Sequence, residues 1–139
     1  MAEVGRAGHL HGRVINEGKA QGVALVSEAA IGFLGGIDPD SGVVVEPGHP
    51  LQGQSVAGRV LVFPTGKGST VGSYTLFRLV QNGVGPAAII NARSEAIVAV
   101  GAIMAGIPMV DLVDIGQIQS GDRVTVRGAE VIVEAQGDE

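Results

Sequence analysis

Val60-Leu61-Val62-Phe63-Pro64-Thr65-Gly66-Lys67-Gly68-Ser69-Thr70-Val71-Gly72-Ser73-Tyr74-Thr75-Leu76 is the stretch whose reading decides the fold. Val60, Leu61, Val62 and Phe63 are all apolar, a run long enough for a buried strand. A turn with Gly66, Lys67 and Gly68 follows, then two hydroxyls and an amphipathic run over 71–82. Strand, glycine turn and helix in that order aim backbone N–H groups at whatever lies in front of the helix. Gly66 and Gly68 permit positive φ and close approach, and Lys67 adds a positive charge. Ser69 or Thr70 suits an N-cap, and Asn82-Gly83 suits a stop. The turn reads either as an anion site built from Gly66, Lys67, Gly68 and Thr70, or as a capped turn without a ligand. It is not a Walker loop, because Lys67 is followed by Gly68 and no glycine stands at the upstream position that loop requires.

Working outward, 87–90 is a second short apolar strand. Ser94-Glu95 caps a second helix running to about Ala105, apolar on nearly every side and therefore expected to be buried. Gly106-Ile107-Pro108 ends it, and Met109-Val110 opens another strand. Strand and helix alternating in this way predict parallel strands joined by right-handed crossovers. Residues 121–134 alternate apolar and polar about Arg127-Gly128, the pattern of an antiparallel hairpin with one wet face. Upstream, 11–16 and 23–27 have strand composition and are expected to form a hairpin or bulged pair. Residues 29–34 suit a helix or a strand, 35–42 are rich in turn residues, and 43–45 suit a short strand. Residues 1–8 read as a frayed tail. The expected fold is α/β: a β-rich half around a small parallel β/α layer, in one domain over 1–139.

Composition narrows the function. Of 139 residues 45% are hydrophobic and 17% charged, so the chain is globular, with enough apolar content to suggest a surface covered by a partner. The net charge is −5 with no basic cluster, which argues against non-specific nucleic-acid binding. Polar or turn residues interrupt every apolar run short of membrane-spanning length, and the first residues lack a signal-peptide core; a cytoplasmic protein is expected. The chain has no cysteine, which excludes a thiol nucleophile and any iron–sulfur cluster or thiolate zinc site on its own ligands. His9 and His11 would share a strand face but lack a third ligand, so neither they nor His49 is assigned chemistry.

Three segments carry a resemblance. They are Phe33-Leu34-Gly35-Gly36-Ile37-Asp38-Pro39, the run from Ser55 through the glycine turn to Tyr74, and Ala88-Ile89-Ile90-Asn91 with the run over 99–108. Together they resemble the small subunit of the aconitase X family, the detached swivelling β/β/α domain of an aconitase-like dehydratase. The resemblance implies a heterodimer in which a large subunit carries an iron–sulfur cluster and this chain closes over a small anionic substrate. It implies that Ser69 is the proton acceptor, taking a proton from the carbon next to the substrate carboxylate. A serine alkoxide needs fixed donors, and helix N-terminal amides with a nearby Lys67 would supply them. Family members dehydrate 5-phosphomevalonate, in a mevalonate route to isoprenoids, or cis-3-hydroxy-L-proline. The quoted segments look closest to the archaeal-type small subunits, which implies conversion of (R)-5-phosphomevalonate to trans-anhydromevalonate 5-phosphate.

Other readings rank lower. Thr70 and Ser73 suit caps or helix-surface hydroxyls. Asp38 could reach the cleft, but Asp38-Pro39-Asp40-Ser41-Gly42 is also an ordinary turn. Arg93 and Ser94 form either a second anion site or a cap. Residues 94–97 and 105–108 with the closing hairpin also resemble the swivelling phosphohistidine carrier domain, yet no histidine follows His49 to carry the phosphoryl group. A non-catalytic anion-binding module of the same fold is the remaining alternative.

Overall fold

The computed structural model describes residues 7–68 and 71–135. In chain order its first elements are β1 (Ala7–His11), β2 (Arg13–Asn16), β3 (Lys19–Val26), β4 (Val60–Phe63) and α1 (Gly72–Gln81). After these come β5 (Ala88–Asn91), α2 (Ala96–Ala105), β6 (Met109–Asp111), a short 3-10 turn, β7 (Arg123–Arg127) and β8 (Glu130–Glu134).

A strand without a polar position must be covered on both faces, and every residue of β4 is buried. It runs parallel to β3 on one side and β5 on the other, and β6 extends the parallel set. α1 and α2 make the two crossovers. Alternation along these strands feeds two cores. Leu25, Leu61, Phe63, Ile89 and Met109 pack under the helices with Leu76, Leu79, Val98 and Ala102. Ala24, Val60, Val62, Ile90 and Val110 face the other way, against Val124, Val126, Val131 and Val133 of the closing hairpin. That hairpin, β7 with β8, turns at Gly128 as its alternation predicts.

The strand order is β1-β8-β7-β3-β4-β5-β6-β2. The two strands at its ends are neighbours in the chain, parted by Gly12, so one segment ties both edges and curls the sheet into a nearly closed barrel. This arrangement corrects the expected pairing of 11–16 with 23–27. β1 pairs with β8, β2 with β6, and β3 with β4 and β7, because the buried parallel set outbids a local hairpin. Ala7 and Gly8, expected in the tail, belong to β1; residues 1–6 lie outside the described residues. Segment 29–34 is neither helix nor regular strand; its strand-like pairing is the bridge from Ile31 to Gly66. Likewise 43–45 forms only isolated bridges, from Val44 to Ile37 and from Val43 to Ser55.

The helices pack tightly at Gly101, where a Cβ would meet the Ser73 Cα at 3.1 Å and the Leu76 side chain at 2.9 Å. α2 departs from its expected burial: only Val98, Gly101 and Ala102 are buried, while Val100, Ile103 and Met104 are about half exposed.

Candidate functional site

The glycine turn is built from both flanks. Ile31 N–H donates to the Thr65 carbonyl at 3.2 Å and Lys67 N–H to the Ile31 carbonyl at 3.0 Å, stitching the turn to the segment 29–34. Gly66 faces α2: a Cβ there would stand 2.4 Å from Val98 Cγ2 and 2.6 Å from Glu95 Oε1, so this glycine is demanded by packing. Gly68 has φ of +102°, a backbone that side chains resist. Ser69 and Thr70 lie outside the described residues. α1 then begins at Gly72 with Val71 in the cap position, not Ser69 or Thr70, and carries no acidic residue in its first turn.

The Lys67 ammonium sits 2.9 Å from the Glu46 carboxylate, both partly exposed. Glu46 was not legible as a partner because its loop reads only as a turn. One of three ammonium donors is used in this pair, and an exposed pair of this kind is worth about 0–1 kcal/mol, so it yields readily to a stronger anion. The loop carrying Glu46 is itself fixed by the buried His49. Leu51 N–H donates to His49 Nδ1 at 3.1 Å, which leaves Nε2–H to donate to the Ala30 carbonyl at 3.0 Å.

The second crossover is closed differently. Glu95 caps α2 with its own carboxylate, accepting from Ile97 N–H and Val98 N–H at 3.0 Å each. Ser94 is committed as well: its N–H and hydroxyl donate to Asp111 Oδ2 at 3.1 and 2.7 Å. Arg13 donates Nε–H to Asp111 Oδ1 at 3.0 Å and Nη2–H to Oδ2 at 2.8 Å. Burial alone would raise the Asp111 carboxyl, but the hydrogen bonds from Arg13 and Ser94, with the Arg13 charge, outweigh it and hold the group below the usual carboxylate range. The Arg13 guanidinium is raised by the same hydrogen bond and charge. Ser94 is therefore an anchor to Asp111, and the cap of α2 falls to Glu95 and not to Arg93 or Ser94. Sequence reasoning passed over Asp111; a lone charge inside Met109-Val110-Asp111-Leu112-Val113 was the signal that a buried partner waits.

Asp38 accepts from Asp40 N–H at 2.9 Å and the Ser41 hydroxyl at 3.1 Å, the turn chemistry its sequence suggests. Ser73 is buried where α1 meets Gly101. His9 and His11 stack on the exposed face of β1. Among the described residues no three His, Asp or Glu side chains gather as a metal site, and the chain has no cysteine, so its residues do not fit an iron–sulfur cluster.

The glycine turn, the crossovers and the barrel together coincide with a known family: the description "Aconitase X swivel domain" matches residues 9–135. The chain belongs to that family. A solved structure, the aconitase X of Thermococcus kodakaraensis in its holo form, superposes with a TM-score of 0.89 at 48% identity, covering 91% of this chain and 98% of that one. The phosphomevalonate dehydratase small subunit of Methanocella arvoryzae is 56% identical over 90% of this chain and 97% of its own length. That of Thermococcus onnurineus is 52% identical, over 91% of this chain and 98% of its own. The name of these relatives implies a large-subunit partner. Among the described residues no helix is long and apolar enough to cross a membrane.

Proposed function

We propose that this chain is the small subunit of a phosphomevalonate dehydratase, a hydro-lyase active only when paired with its large subunit. The observation that carries the reading is the end-to-end match to small subunits of that name, with the barrel and both crossovers preserved. It favours (R)-5-phosphomevalonate over cis-3-hydroxy-L-proline as the substrate. Because the chain's own residues do not fit a cluster, the iron–sulfur cluster belongs to the large subunit, and the task here is binding and proton transfer.

The turn performs that task. Ser69 Oγ accepts the proton from the carbon beside the substrate carboxylate. Gly66, Lys67, Gly68 and Thr70 hold the anion, Lys67 with a charge that Glu46 only partly answers. The single-domain chain over 1–139 acts as a cytoplasmic half-site that closes over its partner. A binding module lacking catalysis would present the same turn without needing the serine.

The test is to co-express the cognate large subunit, reconstitute the cluster anaerobically, and assay both substrates. Loss of water from phosphomevalonate alone is the expected result. Turnover of cis-3-hydroxy-L-proline alone, or of neither by an assembled and loaded pair, overturns the substrate assignment.

A further inference from the structure

Of the three histidines only His49 is buried, at 7% exposure. Its neighbours fix its tautomer. Leu51 N–H donates to Nδ1 at 3.1 Å, which needs a lone pair there, so the ring proton sits on Nε2 and is donated to the Ala30 carbonyl at 3.0 Å. With both nitrogens used by backbone groups, the ring is a rigid spacer between the 46–52 loop and segment 29–34.

Both sides of that spacer lead to Lys67. On one side, Ala30 is followed by Ile31, whose N–H donates to the Thr65 carbonyl at 3.2 Å and whose carbonyl accepts from Lys67 N–H at 3.0 Å. A Cβ on Gly32 would stand 3.1 Å from the Lys67 carbonyl oxygen, so the strip 30–32 lies close along the turn. On the other side, His49 N–H donates to the Glu46 carbonyl at 3.2 Å, and the Glu46 carboxylate meets the Lys67 ammonium at 2.9 Å. The backbone of Lys67 is held through Ile31 and its side chain through Glu46, and the two holds join at His49. Beyond its buried Ile31 and Phe33 side chains, segment 29–34 has no regular ladder to keep it beside the turn, so its individual hydrogen bonds decide its place.

We propose that His49 is a positioning residue for the glycine turn, acting through the Nε2–H bond to the Ala30 carbonyl. That bond sets the strip 30–32 and, through Ile31, the backbone over 65–67. The proposal rests on the dehydratase reading above and adds a residue outside the turn on which its placement depends.

Two substitutions separate the two ring bonds. The glutamine amide nitrogen stands as many bonds from Cβ as Nε2 does, so His49→Gln keeps the donor to Ala30 and loses the acceptor for Leu51. The asparagine amide oxygen stands where Nδ1 does, so His49→Asn keeps that acceptor and loses the donor. Each gives up one buried hydrogen bond, so a histidine that only stabilises the fold predicts similar melting temperatures and similar turnover in both. Each variant is assembled with the cognate large subunit, loaded with cluster and assayed on phosphomevalonate. Amide exchange of the same pair is read by mass spectrometry over 29–34 and 65–68.

The expected kcat/KM is within about threefold of wild type for His49→Gln and at least about tenfold lower for His49→Asn, because small displacements of a positioned group are costly. Exchange in both peptides should be about tenfold faster in His49→Asn alone, as expected for one lost hydrogen bond. Turnover alike in the two variants overturns the positioning role and leaves the dehydratase reading intact. A wild-type pair inactive on phosphomevalonate overturns the dehydratase reading; faster exchange in His49→Asn than in His49→Gln then upholds the positioning of the turn, and equal exchange overturns it. If His49→Asn does not assemble, His49→Gln decides: wild-type exchange over both peptides supports the Ala30 bond as the one that matters, and lost protection there overturns it.

Discussion

The two crossovers are the same device used in opposite ways. Each leaves a parallel strand, makes a short loop and enters a ten-residue helix. Before α2 the loop is fully committed: Glu95 caps the helix, Ser94 is tied to Asp111, and Arg13 ties Asp111 to β2. Before α1 the cap position holds Val71, whose side chain has no acceptor, and no acidic residue stands in the first turn. The helix N-terminus that answers itself is structural. The other follows the glycine turn, and it is there that the proposed chemistry is placed. The outer surfaces differ as well, since α1 exposes Arg78 and Gln81 toward its end while α2 exposes only apolar side chains.

The contrast can be broken most severely where the two crossovers touch. Gly66→Val drives a side chain into Val98 and Glu95, so it damages the turn and the α2 cap together. Overpacking of this kind costs roughly 1–3 kcal/mol. Displacing the turn by an ångström lowers turnover by about a hundredfold or more; thermal melts and steady-state assays of the assembled pair read both.

Asp111→Ala attacks the structural crossover alone. Removing the acceptor of Arg13 and Ser94 is expected to cost roughly 2–3 kcal/mol, with KM little changed. Its pH dependence has a definite sign. The folded-state carboxyl is lowered, so its stabilisation is complete above the ordinary value near about pH 4 and fades as pH falls through the lowered value. Acid melts of the wild type should show that loss, and those of Asp111→Ala should lack it.

Glu95→Ala removes only the cap and should cost about 1 kcal/mol by denaturant titration, leaving turnover within a few-fold of wild type. The smallest effect is expected from Glu46→Gln, which releases Lys67. Stability should change by no more than about 1 kcal/mol, and KM should fall by up to about fivefold if Lys67 meets the substrate anion.

Much of this was legible in order along the chain. β4, α1, β5, α2 and β6 announce themselves because unbroken apolar strands followed by capped helices can be satisfied only by parallel crossovers. The barrel closure was hidden: β1 finds β8, and β2 finds β6, across nearly the whole chain, and nothing local in 7–16 names those partners. α2 misled for a different reason. An apolar helix reads as buried, yet only Val98, Gly101 and Ala102 are covered by the rest of this chain. At the site, Gly66 and Gly68 were legible as necessary glycines. That Gly66 is required by Val98 and Glu95, and that Lys67 leans on Glu46, depends on contacts no spacing encodes.

The most direct measurement is the turnover of phosphomevalonate by the assembled, cluster-loaded pair with Ser69→Ala in place of the wild-type chain. If Ser69 is the proton acceptor, kcat falls by roughly 10²–10⁴-fold while the complex assembles and KM stays close to wild type. A kcat near the wild-type value in an intact complex would contradict the account and leave the turn as an anion clamp only.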